Sequence, residues 1–176
     1  MAEKSLITER LLLRPLELND EVGIVQMQQN GNVLKHINGG IPRSYDEAIN
    51  DLNRWVNRWD GQFGVWAVLD RQNNDFLGWA ALQRLDNSDE IEVGYRFLES
   101  TWGKGYATEA GNILVKYGFE ELDVPEIVGI AHPDNKASIR VLEKLGLKFV
   151  KYAHFYNTDV VYLALGRETY IESKKI

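Results

Sequence analysis

The run from Ile91 to Ala110 narrows the choice of architecture more than any other part of the chain. Ile91-Glu92-Val93-Gly94-Tyr95-Arg96-Phe97-Leu98 is β-type. It passes through Glu99-Ser100-Thr101 into Trp102-Gly103-Lys104-Gly105, and a helical pattern begins at Tyr106-Ala107-Thr108-Glu109-Ala110. A strand that ends in a glycine turn opening a helix leaves backbone amides at the positive end of the helix dipole, where phosphate binds. Two familiar phosphate loops do not fit. A P-loop needs Ser or Thr after Gly-Lys, and Lys104 is followed by Gly105. A dinucleotide fingerprint needs a third glycine where this chain has Thr108. Either a phosphate cradle of another kind remains, or a tight turn that binds nothing.

The flanking sequence supplies both helices and strands. Residues 11–16 read as a strand stopped by Pro15 and Asn19-Asp20. A helix follows to about Gln29, with Val22, Val25 and Met27 expected inward. Ser44 and Glu47 form a capping box that opens a helix to about Trp59, carrying Ala48, Leu52, Trp55 and Trp59 at helical spacing. Residues 64–69, 76–85 and 91–98 are rich in β-branched and aromatic side chains and are split by polar turns, the pattern of an antiparallel meander. A helix at about 104–122, a strand at 127–131, a helix at 135–145 capped by Gly146, and strands at 147–155 and 159–165 complete the order. The expected fold is α/β: a mixed, mostly antiparallel sheet of about seven strands flanked by about four helices. No linker or repeat divides residues 1–176, so one domain is expected.

Composition excludes several classes. With 44% hydrophobic and 26% charged residues, the 176-residue chain can bury a core and is neither disordered nor disulfide-stapled. It has no cysteine, hence no thiolate nucleophile or zinc knuckle. Its three histidines show no metal-ligand spacing, so no metal is expected. The net charge of −6 argues against nucleic acid as the main partner. No apolar run reaches the roughly 20 residues of a membrane helix, and the polar start lacks a secretion signal. A soluble, cytoplasmic protein is expected.

A second segment gives the glycine turn a context. His132-Pro133-Asp134-Asn135-Lys136-Ala137-Ser138-Ile139-Arg140-Val141-Leu142-Glu143-Lys144-Leu145-Gly146-Leu147 lies about one βα step downstream. Together with Trp-Gly-Lys-Gly-Tyr-Ala-Thr-Glu-Ala and the opening Thr8-Glu9-Arg10-Leu11-Leu12-Leu13-Arg14-Pro15, it resembles the GNAT acetyltransferase superfamily. The wording is similar to the RimJ/RimL-type branch, and the likeness extends over nearly the whole chain.

The resemblance implies acetyl-CoA as cosubstrate and a splayed strand before the glycine turn. Backbone groups of Phe97 and Leu98, with Arg96, would pair with its pantetheine arm. Its pyrophosphate would rest on the amides of Gly103, Lys104, Gly105, Tyr106, Ala107 and Thr108, with Lys104 adding charge. Trp102 stands where many members have a polar residue and would shield the groove. Asn135 matches the asparagine that holds the pantetheine amide; by its position it could equally be a helix N-cap. Helical spacing puts Ser138 on the inward face with Val141, Leu142 and Leu145.

Acetyl transfer to an amine requires a neutral nitrogen, a polarised carbonyl and a proton for the leaving thiolate. Many members use a tyrosine seven residues after the asparagine as the acid; here that position is Leu142. Ser138 is therefore the leading partner for the thiolate. Glu92, on the central strand, is the leading base, with His132, His154 and Tyr156 as weaker alternatives; a Glu92–Arg96 pair is its structural alternative. The expected function is N-acetyl transfer from acetyl-CoA to a primary amine, either a protein N-terminus or a small amine, by direct attack in a ternary complex. A non-catalytic acyl-CoA-binding module is the alternative. The acceptor pocket would come from the 30–44 loops, the helix near Trp59 and the closing strands. Exposed sheet edges also leave room for a homodimer.

Overall fold

The computed structural model describes residues 4–175. Eight strands form one sheet: β1 (Leu6–Ile7), β2 (Leu11–Pro15), β3 (Gly64–Asp70), β4 (Phe76–Arg84), β5 (Ile91–Phe97), β6 (Glu126–Ala131), β7 (Lys148–Phe155) and β8 (Thr158–Gly166). Their spatial order is β1-β2-β3-β4-β5-β6-β8-β7. Every neighbouring pair is antiparallel except β5 and β6. Five α-helices accompany them: α1 (Glu21–Gln28), α2 (Tyr45–Val56), α3 (Tyr106–Glu120), α4 (Lys136–Lys144) and α5 (Arg167–Ser173). The expectation of about seven strands and four helices thus gains the two-residue edge strand β1 and the terminal helix α5. Both are too short to leave a periodic signal.

The helices cover both faces. On one, Ala110, Leu114 and Val115 of α3, Leu142 of α4 and Tyr170 of α5 pack against Trp66, Leu82, Val93 and Ile127. On the other, Ile24 and Met27 of α1 and Leu52 and Trp55 of α2 meet Val65, Ala67, Trp79 and Ala81. Helix α2 keeps the expected capping box at Ser44 and Glu47 and buries Ala48, Leu52 and Trp55 as expected, but it ends at Val56, and Trp59 beyond it packs on Trp66 instead. In α1 Met27 is inward as expected, but the rest of the inward face differs. Ile24, Met27 and Gln28 are buried, whereas Val22 is 80% exposed. Gly23 decides the rotation: a Cβ there would sit 2.2 Å from the Phe76 ring, so this side of α1 lies against β4.

The sheet opens at one place. β5 and β6 are in register only at Ile91↔Ile127 and Glu92↔Val128, and beyond Glu92 they part. β4 stays paired with β5 as far as Gly78↔Phe97. A wedge is left between β5 and β6, with α3 and α4 on one face of the sheet and α1 and α2 on the other.

Candidate active site

The wedge and the glycine turn meet at the start of α3. Gly103 and Gly105 have φ of 74° and 81°, the left-handed region that glycine adopts without a Cβ penalty. Gly105 is the N-cap residue, so α3 begins at Tyr106 and not at Lys104. A Cβ on Gly103 would meet nothing within 4 Å, so the turn is open to solvent. The turn is braced from β2's entry. Arg10 Nη1 donates to the Lys104 carbonyl at 2.9 Å, its guanidinium pairs with Glu109 at 2.7 Å, and it lies over the Tyr106 ring. Thr8 Oγ1 and the Arg10 N–H also donate to Glu109, at 2.6 and 2.9 Å. Burial raises the Glu109 pKa, but these donors outweigh it and hold the carboxyl below its ordinary range. Lys104 is exposed, at the rim of the turn.

Along β5 the backbone assignments differ from expectation. The Leu98 N–H donates to Leu77 O at 2.9 Å, and its carbonyl accepts from Thr101 N and Oγ1. Antiparallel alternation then turns the backbone groups of Arg96 toward β4 as well, and those of Tyr95 and Phe97 toward the wedge. Leu98 and Arg96 therefore offer no free main-chain groups there, whereas Tyr95 and Phe97 face it. The Phe97 carbonyl accepts from Trp102 Nε1 at 3.0 Å, so the half-exposed indole is fixed at the mouth.

Across the wedge, Asn135 Oδ1 accepts from Ser138 N at 3.2 Å, an N-cap for α4. Ser138 is half-buried, and its Oγ lies 3.2 Å from the Tyr95 hydroxyl, which also donates to the Ser138 carbonyl at 2.9 Å. Tyr95 thus bridges β5 and α4. Burial pushes its phenol well above the ordinary tyrosine range, so it stays protonated. Leu142 is 1% exposed in the core and carries no polar group toward the wedge.

Glu92 lies on the opposite sheet face, 7% exposed. Burial pushes its pKa up to about 7, although hydrogen bonds from Tyr156 Oη at 3.0 Å and Gln83 Nε2 at 3.5 Å pull it the other way. Tyr156 occupies a β7–β8 hairpin turn whose two central residues, Tyr156 and Asn157, have φ of 50° and 58°. A tyrosine rarely adopts that conformation. Here it carries the phenol onto Glu92.

The alternative Glu92–Arg96 pair does not form. Arg96 Nη1 donates to Gln28 Oε1 at 2.6 Å, and its guanidinium packs against the Trp55 and Trp79 rings. His132 stacks on His36, and the exposed His154 pairs with Asp159, so neither histidine pairs with Glu92. Among the described residues, no group of three potential metal ligands gathers.

A family description, the acetyltransferase (GNAT) domain, matches residues 10–148, from the arginine that braces the glycine turn to the start of β7. The chain belongs to the GNAT acetyltransferase family. It is an acetyltransferase, and not the non-catalytic module that the residues alone left open. YkkB, an uncharacterized Bacillus subtilis protein, is 32% identical over 165 residues, covering 90% of this chain and 94% of that one. The FsC-acetyl coenzyme A-N(2)-transacetylase of Aspergillus fumigatus is 30% identical over 161 residues, covering 85% of this chain and 67% of that one. A GNAT-family acetyltransferase structure from Bacillus anthracis superposes with a TM-score of 0.81 at 26% identity, covering 94% of this chain and 99% of that one.

Within this GNAT domain, some constituents of the site escaped the sequence reading. Tyr95 is one, although strand alternation already placed it opposite Glu92 and Arg96. The Arg10–Glu109–Thr8 brace is another, and it joins residues about a hundred positions apart with no local signal.

Proposed function

We propose that this GNAT enzyme moves acetyl from acetyl-CoA to the nitrogen of a primary amine by direct attack in a ternary complex, and that it is of the RimJ/RimL type. One observation carries the reaction: a buried carboxyl poised near neutral pH, Glu92, at the last register pair before β5 and β6 part. The name of the Aspergillus relative, an acetyl coenzyme A N-transacetylase, favours the same donor and the same acceptor element.

The residues present fit such a cosubstrate. Gly103 and Gly105 keep the turn clear of side chains, the amides of Tyr106, Ala107 and Thr108 lack intrahelical acceptors, and β6 leaves the strand edge of Tyr95 and Phe97 unpaired, the Phe97 carbonyl being held by Trp102. Acetyl-CoA would supply the activated acetyl thioester. Asn135 uses Oδ1 for its cap and keeps its amide nitrogen for the pantetheine chain. As the carboxylate, Glu92 takes a proton from the acceptor ammonium, and its raised pKa suits that work near neutrality. The nitrogen then bonds to the acetyl carbon and the carbon–sulfur bond breaks; the second proton lost by the nitrogen ends on the leaving thiolate, and Glu92 returns the first to solvent. Ser138, positioned by Tyr95, is the hydrogen-bond donor to that sulfur; its hydroxyl is too weak an acid to surrender its proton outright.

Steady-state thiol release with amine acceptors, combined with calorimetric titration of acetyl-CoA, tests these roles. Ser138→Ala and Glu92→Gln should each slow turnover and leave acetyl-CoA affinity nearly intact. Unchanged turnover in either variant removes that residue from the mechanism.

A further inference from the structure

On the α1/α2 face of β5, alternate positions carry Glu92, Gly94 and Arg96. Gly94 leaves bare backbone between its neighbours. A Cβ built there lies 3.9 Å from Glu92 Oε1 and 3.9 Å from the Trp79 ring. At the far end of this strip sits the Arg96 guanidinium, walled by Trp55 and Trp79. Its partner on the protein is a neutral amide oxygen, Gln28 Oε1, and among the described residues no carboxylate pairs with it. Gln28 hands the interaction on to Asp51, which is already taken by Arg54 at 2.6 Å and has Arg43 at 3.7 Å. Glu47 reaches only the outer side of Arg43, at 3.9 Å. Three arginines thus face two carboxylates, inside a chain whose net charge is −6. The Trp79 indole N–H beside them is buried without a hydrogen-bond partner. A cation with donors to spare and an orphaned N–H both require oxygen acceptors, and an unmatched buried donor is costly.

We propose that the acceptor is an amine that also bears a carboxylate, the carboxylate seated on Arg96 and the amine directed at Glu92 across Gly94. The proposal rests on the acetyl-transfer reading above and adds the substrate class. Four residues of strand separate the two Cα atoms by roughly 13 Å. The two side chains can lean toward each other over the glycine, but they do not meet. The acceptor therefore carries several carbons between nitrogen and carboxylate, as an ω-amino acid or a lysine-type amine does. The Trp55 and Trp79 rings give that methylene spacer an apolar wall.

The test is a matched acceptor panel with the wild-type protein and acetyl-CoA: ε-aminocaproate, hexylamine and cadaverine, with glycine as the short control. The expected kcat/KM for ε-aminocaproate exceeds that for hexylamine and cadaverine by about tenfold or more, the worth of one charge-assisted hydrogen bond. Glycine should be poor. Arg96→Gln should erase the preference by raising KM for ε-aminocaproate until it matches that for hexylamine in the same variant. Equal rates across the panel, or a preference for cadaverine, overturn the proposal, and that wild-type comparison needs no variant to fold. If no amine releases thiol, the transfer reading fails by itself. Wild-type melting temperature then decides the acceptor class: a rise with ε-aminocaproate and none with hexylamine supports it, and equal or absent shifts contradict it.

Discussion

Glu92 owes its chemistry to burial opposed by two weak donors. A carboxyl titrating near 7 is half-ionised at neutral pH, and so can both take and return a proton. Replacing it by Gln should lower kcat by about a hundredfold or more and abolish the rise of kcat with pH through the region of pH 7. Tyr156→Phe removes the donor that favours the charged form. The acid limb of the kcat profile should therefore move to higher pH, and an unchanged profile would separate Tyr156 from the base. Stability follows the same group with a definite sign. The folded pKa lies above the unfolded one, so the folded state holds the extra proton between about 4.5 and 7. Stability falls as pH rises through that window. Glu92→Gln should consequently be more stable than the wild type at pH 8, by an amount on the order of 2 kcal/mol, with little difference at pH 4. Denaturant titrations at both pH values measure it. The burial of Glu92 was legible in the sequence because helices on both sheet faces leave a central-strand carboxylate little room to be merely solvated. Its partner was less so, since Tyr156 reaches it from sixty-four residues away through a turn whose backbone a tyrosine seldom adopts.

At the level of elements, the glycine turn depends on support from outside itself. Arg10 and Thr8 lead into β2, and their hold on Glu109 ties the first turn of α3 to the sheet edge. Glu109→Ala would strand the Thr8 hydroxyl and the Arg10 N–H; a loss of about 1–3 kcal/mol in chemical denaturation is expected, accompanied by weaker CoA binding. Gly105→Glu would place a side chain at φ 81° and a negative charge at the helix start. It should abolish CoA binding by calorimetry, and normal affinity would show that phosphate lies elsewhere. The turn itself, the capping box of α2 and the left-handed end of α4 at Gly146 were all readable, because each depends on residues within four positions. The face of α1 was not. Val22 and Val25 looked inward with Met27, but contact of Gly23 with Phe76 on β4 rotates the helix so that Ile24 and Gln28 go in beside Met27. The backbone of Leu98 was misjudged for a similar reason, since its hydrogen bond to Leu77 follows from register, which spacing alone does not fix.

For the whole molecule, the decisive feature is a sheet that is continuous except at one seam. The order of helices and strands was visible from periodicity, and the parting of β5 from β6 was expected only through the family resemblance. Nothing in the local composition of either strand distinguishes a splayed pair from a closed one. Net charge says little about local charge. The acidic total conceals Arg43, Arg54 and Arg96, which gather on one face only in the folded chain. A ligand that binds in the seam joins strands the protein leaves apart. CoA at a hundred times its Kd should stabilise the fold by about 2.7 kcal/mol, which raises the melting temperature by roughly 5–10 °C for a chain of this size. Thermal shift measures this directly, and an absent shift would mean that the seam is closed to CoA.

The most direct test is acetyl-CoA-dependent thiol release, followed from pH 6 to pH 9 with saturating amine, in wild-type protein and Glu92→Gln. The wild type should release thiol in step with acetylated amine, with kcat rising through an apparent pKa of about 7. Glu92→Gln should turn over about a hundredfold more slowly at undiminished acetyl-CoA affinity. Thiol release that does not depend on the amine, or a variant with wild-type turnover and the same pH profile, would contradict acetyl transfer through this site.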